Sequence, residues 1–132
     1  MPLTATTLYS LPLILIWLVL FVRVSATRAQ YNQSFGDGGH ADLLQKIRQH
    51  GNFIEWVPFV LLLMLLAEAQ GTSAIWLHIA GALLVLGRLV HPFGLPPGNA
   101  AHPLRYLGNG SNFLAVAVLV VCLVLILLGR PA

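Results

Sequence analysis

Arg48, Asn52 and Glu55 stand at the entrance to a strongly apolar run, in the stretch Arg48-Gln-His-Gly-Asn52-Phe-Ile-Glu55-Trp-Val-Pro58-Phe59, which continues into Val60-Leu-Leu-Leu-Met64. On an α-helix each residue advances by about 100°, so positions i, i+4 and i+7 share one narrow face. Phe59 and Leu62 extend the same stripe deeper. A guanidinium, an amide and a carboxylate on one face can bind a charged polar ligand. Each ionised group at a helix centre costs about 2.5–3.5 kcal/mol to insert, so such groups usually face a protein interior or a wet cavity. A second reading fits the same spacing: Arg48 pairs with Glu55 along the helix, and Asn52 packs between helices. That reading accounts well for Arg48, which is shallow enough to reach the interface. It accounts less well for Glu55, which Trp56, Val57, Pro58 and Phe59 follow. Pro58 cannot donate to the carbonyl of Ile54, so the helix can kink just beyond Glu55.

The composition says what must surround that stripe. Of 132 residues, 58% are hydrophobic and 8% charged, with a mean hydropathy of +0.83. Soluble domains carry about a quarter charged residues, so this is an all-α membrane protein. Crossing a bilayer takes roughly 20 mostly apolar residues, and four segments qualify: about 6–28, 40–69, 72–91 and 105–128. The length suits one domain over 1–132. Asp37 and Gly38-Gly39 mark the turn before the second segment, and Asp42 suits a first helical turn. Pro92, Pro96 and Pro97 end the third. Short links predict a four-transmembrane-helix antiparallel bundle. No basic residue precedes the apolar heart of the first segment, Leu11 to Val22, and Arg23 and Arg28 follow it, so it reads as a retained helix, not a cleaved signal.

The net charge is +3 and the pI about 9.6, but the basic residues are scattered and form no stripe interleaved with aromatics, which excludes nucleic acid as a partner. They report topology instead. Arg23, Arg28, Lys46 and Arg48 flank the 1–2 link, and Arg88 and Arg105 flank the 3–4 link. The 2–3 link, Glu68 to Ser73, has no basic residue. Both basic links are therefore expected in the cytoplasm and both termini outside, with Arg130 dissenting. Cys122 is the single cysteine and reads as a small buried apolar residue. The five histidines show no ligand spacing, so no metal site is expected.

Taken in order, the motifs resemble one family. The residues Arg48, Asn52, Glu55 and Pro58 look like the R-x-x-x-N-x-x-E-x-x-P signature of the MAPEG family, the membrane-associated proteins in eicosanoid and glutathione metabolism. Arg23 and Arg28, Phe35-Gly-Asp-Gly-Gly39, Gly87-Arg-Leu-Val-His-Pro-Phe-Gly94 and Leu104-Arg-Tyr-Leu-Gly108 resemble its small bacterial branch. The resemblance covers nearly the whole chain. It implies a homotrimer in a bacterial inner membrane, with glutathione between protomers near the cytoplasmic side. Arg48, Asn52 and Glu55 match positions that contact glutathione in that family. His50 matches a position that is often His or Gln, and Arg23 or Arg28 would supply a second cation. Arg105 lies where leukotriene C4 synthase has the arginine credited with activating the thiol, and a helix-start residue pairing with lipid phosphate is the other reading of it. Arg88 matches an arginine common at the end of the third helix, where pairing with a neighbouring helix is an equal reading. Two glutathione-binding tyrosines of the leukotriene synthase correspond to His91 and Leu95, and Trp56 replaces a tyrosine that often follows the motif glutamate. His91 can still donate a hydrogen bond and Leu95 cannot.

The resemblance implies a glutathione-dependent membrane enzyme. It would transfer the thiol to a lipophilic electrophile, or reduce a lipid hydroperoxide, with the apolar co-substrate arriving through the membrane lipids. A non-catalytic accessory trimer is the alternative that the tyrosine replacements favour. A small multidrug-type transporter fits less well, because such proteins place their essential glutamate in the first helix, and none lies between Met1 and Val22.

Overall fold

A computed structural model describes residues 3–131. Its elements are four long helices, α1 (Thr4–Gln30), α2 (Ala41–Ala69), α3 (Ala74–Val90) and α4 (Pro103–Leu127), with one 3-10 turn, His91–Gly94, closing α3. Among the described residues there is no strand. All four helices are long and apolar enough to cross a membrane.

Local chemistry explains where the helices stop and start. α4 begins at Pro103 because proline has no N–H to waste in a first turn, and His102 Nδ1 accepts from the Leu104 N–H at 3.3 Å. This start lies two residues before the Arg105 expected from the sequence. α2 begins at Ala41 with His40 as its cap, and it runs unbroken through Pro58. The 1–2 link turns through left-handed backbone at Asn32, Gly36, Gly38 and Gly39. Arg28 Nη1 ties that link down by donating to the carbonyls of Gln33 (3.2 Å) and Gly36 (2.9 Å). Tyr31 donates to the Asp42 carboxylate at 3.1 Å, and that hydrogen bond pushes the phenol pKa up.

Consecutive helices run antiparallel, so the 1–2 and 3–4 links share one end of the bundle. α1 lies against α2 and α3, α4 lies against the same two, and α2 and α3 touch across the middle. The core is apolar and close-packed around Leu13, Val60, Met64, Leu84 and Leu119. Outward, Leu15, Val19, Phe59, Leu62, Leu114 and Val121 remain exposed. An apolar surface around an apolar core is what a lipid-embedded bundle needs, since lipid gives no reason to hide leucine.

Small residues let α3 and α4 approach closely. A Cβ on Gly108 would lie 2.9 Å from the Gly87 carbonyl oxygen and 2.7 Å from His91 Cβ. At the opposite end, Glu68 is only 6% exposed, and its carboxylate accepts from the Ala5 N–H at 2.7 Å and the Thr6 N–H at 2.8 Å. The start of a helix leaves N–H groups without intrahelical partners and carries partial positive charge. α1 has no side-chain cap of its own. The end of α2 supplies one.

Candidate functional site

The expected site residues lie at the link end of the bundle, but they divide between two environments. Arg48 and Glu55 face outward. Arg48 Nη1 lies 3.5 Å from Glu55 Oε1, with side chains 58% and 53% exposed. Asn52, between them on the helix, turns inward, and its Oδ1 accepts from Arg88 Nη1 at 2.7 Å. Within one protomer the stripe therefore carries an exposed ion pair and an amide engaged by a neighbouring helix. This is the second of the two arrangements that the spacing allowed.

Arg48 and Arg105 nonetheless line a common groove of about 550 Å³, walled by Ala41, Leu44 and Gln45 of α2 and by the Leu95–Ala100 segment. That volume lies within the range of small-molecule sites. Its floor is held from α2: Gln45 Nε2 donates to the Leu95 carbonyl at 2.8 Å and Gln49 Nε2 to the Pro92 carbonyl at 2.7 Å. A Cβ on Gly94 would collide with the Arg105 backbone, so glycine there lets the turn after α3 meet the start of α4. Arg105 Nη1 donates to the Ala100 carbonyl at 3.3 Å.

The remaining candidates lie off this groove. Arg23 is exposed near the end of α1, and Arg28 is engaged by the 1–2 link. His50 is half-buried against α1, its ring 6.1 Å from that of Phe21 and 6.4 Å from that of Trp17. His91 is 1% exposed, so its ring lies inside the protomer and not at the groove surface. Its Nε2 has no partner among the described residues. Among the described residues, no group of three His, Cys, Asp or Glu side chains gathers in a way that would hold a metal ion.

The structure pairs Arg88 with neighbouring helices, one of the two readings of it, but sequence reasoning missed the asparagines of α4 in this polar interior. Arg88, 1% exposed, joins Asn52 to Asn109, whose Oδ1 accepts from Nη2 at 3.3 Å. Asn112 is fully buried one turn further along α4. A signal was present: Asn109 and Asn112 lie three residues apart in an otherwise apolar helix. Polar side chains on one face of a membrane helix commonly meet a neighbouring helix.

Residues 6–125 match the MAPEG family. This chain belongs to that family. A curated relative, "Inner membrane protein YecN" of Escherichia coli strain K12, is 43% identical over 67 residues, which are 51% of this chain and 51% of the relative. The protein of the same name from Escherichia coli O6:H1 matches equally. The chain thus spans about half the length of the curated relatives it matches. No solved structure matches it. As a MAPEG protein with four apolar helices it is a membrane protein, and the R-x-x-x-N-x-x-E-x-x-P stretch on α2 lies wholly within the matched region.

Proposed function

We propose that this MAPEG protein is a glutathione-dependent enzyme of a bacterial inner membrane, acting as a homotrimer with its 1–2 and 3–4 links in the cytoplasm. One observation carries the proposal: two guanidinium groups from different helices, Arg48 and Arg105, line one groove beside an exposed carboxylate, Glu55. Glutathione brings two carboxylates, an ammonium and a thiol. Arg48 clamps a carboxylate through its planar fork, and Glu55 takes the ammonium, exchanging its partner Arg48 for the ligand. The ion pair is weak enough to open, because exposed pairs contribute about 0–1 kcal/mol. A second protomer adds Arg23 or Arg28 and closes the site. The relative's printed description as an inner membrane protein supports the location.

Arg105 acts on the thiol. A free thiol has a pKa near 8.5, which leaves a few per cent thiolate at neutral pH. Lowering it by ~2 units takes ~2.7 kcal/mol of preferential stabilisation, within reach of a close, partly desolvated guanidinium. The thiolate then attacks an electrophilic carbon of a lipophile that has partitioned into the bilayer. A C–S bond forms while the bond to a leaving group breaks and the group departs as its anion, or while a conjugated double bond or epoxide C–O bond opens and the resulting anion takes a proton from water. With a lipid hydroperoxide, two glutathione molecules are oxidised to the disulfide while the hydroperoxide becomes alcohol and water.

A specific observation favours the accessory-trimer reading. His91, the residue left at one tyrosine position, is enclosed in the protomer, and Leu95 has no donor to offer. Retention on glutathione-agarose, with a thermal shift on adding glutathione to the detergent-solubilised protein, separates the two. The enzyme reading expects both. Neither, at millimolar glutathione, leaves the accessory protein.

A further inference from the structure

A guanidinium lies buried at the link end of the bundle with only neutral partners. Arg88 is 1% exposed. Its Nη1 donates to Asn52 Oδ1 at 2.7 Å and lies 3.5 Å from the Asn52 backbone carbonyl oxygen, and its Nη2 donates to Asn109 Oδ1 at 3.3 Å. Among the described residues the side-chain ion pairs are Lys46–Asp42 and Arg48–Glu55, so no carboxylate answers Arg88. A buried charge is costly unless paired and hydrogen-bonded. As a helix staple alone, this arrangement is a poor one, because an apolar contact between α2, α3 and α4 would cost less.

The chemistry of the pair restricts Asn52 more tightly than its position does. A guanidinium has five N–H donors and no acceptor, whereas a primary amide has one acceptor end and one donor end. Asn52 can therefore turn only its Oδ1 toward Arg88. The amide is planar, so Nδ2 is directed away from the guanidinium. No flip of the amide satisfies Arg88. Asn52 is half-buried and shares the stripe of Arg48 and Glu55, so what it has left to offer a ligand there is a donor.

We propose that Arg88 is the positioning residue that fixes Asn52 as a donor-only contact. The site then selects a thiol ligand that presents a carbonyl or carboxylate oxygen between its anion, held at Arg48, and its ammonium, held at Glu55. This rests on the glutathione reading above and goes beyond it. A peptide-built thiol satisfies all three positions. A simple thiol such as cysteamine, whose ammonium can meet Glu55, has no oxygen acceptor for Asn52 and no anion for Arg48, and is rejected. Arg88 itself never touches the ligand.

The test is Asn52→Asp in the full chain in detergent. Aspartate has the shape of asparagine and gives Arg88 a charged partner, so the melting temperature holds or rises. The donor is lost, and a negative charge now meets the ligand's acceptor, so glutathione affinity falls by about tenfold or more. Stability and affinity moving in opposite directions is a result that a purely structural role does not give. Affinity retained within about twofold of wild type would overturn the proposal. A second measurement does not need the ligand. In spectra of 15N-asparagine-labelled protein, the Asn52 side-chain amide pair is identified by its loss in Asn52→Asp. Arg88→Lys keeps the charge but loses the fork, and it should shift the Asn52 and Asn109 pairs above all others. An unmoved Asn52 pair would remove Arg88 as its positioning residue. If wild type retains no glutathione, the thiol reading and the ligand selection both fall, while these spectra still decide whether Arg88 holds Asn52.

Discussion

At the scale of single residues, the Arg48–Glu55 pair is where the enzyme and accessory readings part. Both side chains are more than half exposed, so their mutual attraction contributes little, about 1 kcal/mol at most. Glu55→Gln should therefore leave the melting temperature nearly unchanged while lowering glutathione affinity by about tenfold, the value of one charge-assisted contact. If the pair is purely structural, Glu55→Gln and Arg48→Gln will each destabilise the bundle and leave affinity alone. A double-mutant cycle on both quantities discriminates. Arg105 is tested on the thiol. Titration with glutathione should give a thiolate absorbance in the ultraviolet that Arg105→Ala abolishes, that Arg105→Lys partly keeps, and that Glu55→Gln affects only through occupancy. Equal thiolate signals at equal occupancy in wild type and Arg105→Ala would exclude Arg105 from the chemistry.

At the scale of elements, two contacts between helices can each be tested by substitution. Gly108 lies where α4 meets α3, and a Cβ there meets backbone and a buried histidine. Gly110, two residues on, has nothing within 4 Å. Alanine is intrinsically better in a helix by about 1 kcal/mol. Gly110→Ala should accordingly stabilise the protein by up to about that amount. Gly108→Ala should destabilise it by about 1–3 kcal/mol, because overpacking outweighs the helix preference. Thermal unfolding of the pair checks the crossing, and a stabilising Gly108→Ala would mean the helices do not meet there. Glu68 makes the other contact. Glu68→Ala removes two charge-assisted hydrogen bonds to the start of α1 and should cost about 2–3 kcal/mol. Hydrogen exchange should show fraying confined to the first turns of α1.

At the scale of the whole molecule, the clustering of Arg23, Arg28, Lys46, Arg48, Arg88 and Arg105 toward the two links predicts, by the positive-inside rule, that this end faces the cytoplasm. A reporter fused after Ala132 should then behave as external. A fusion that lights a cytoplasm-only fluorophore would invert the orientation and place the groove outside the cytoplasm. Native mass spectrometry in detergent should find a trimer, and a monomer that still binds glutathione would show that the groove of one protomer suffices.

Much of the architecture was legible in the amino-acid sequence. The four segments, their approximate ends and the family follow from local properties: runs of Leu, Val and Ala, prolines after α3, and a motif within a dozen residues of α2. Such features need no knowledge of what lies across the bundle. The helix ends differed by a residue or two where a cap decided them, as with His102 and Pro103. The roles of the polar residues were a different matter. Spacing placed Arg48, Asn52 and Glu55 on one stripe, yet Asn52 turns to Arg88, 36 residues away, while Arg48 and Glu55 stay outside. By sequence Glu68 opens the 2–3 link, and in the fold it caps a helix whose first turn lies 63 residues earlier. A polar side chain takes whichever partner lowers its burial cost, and those partners come from other helices. Rotation of each helix about its own axis decides which are within reach. In a chain apolar on every face, periodicity carries almost no record of that rotation, so only the packed bundle determined it.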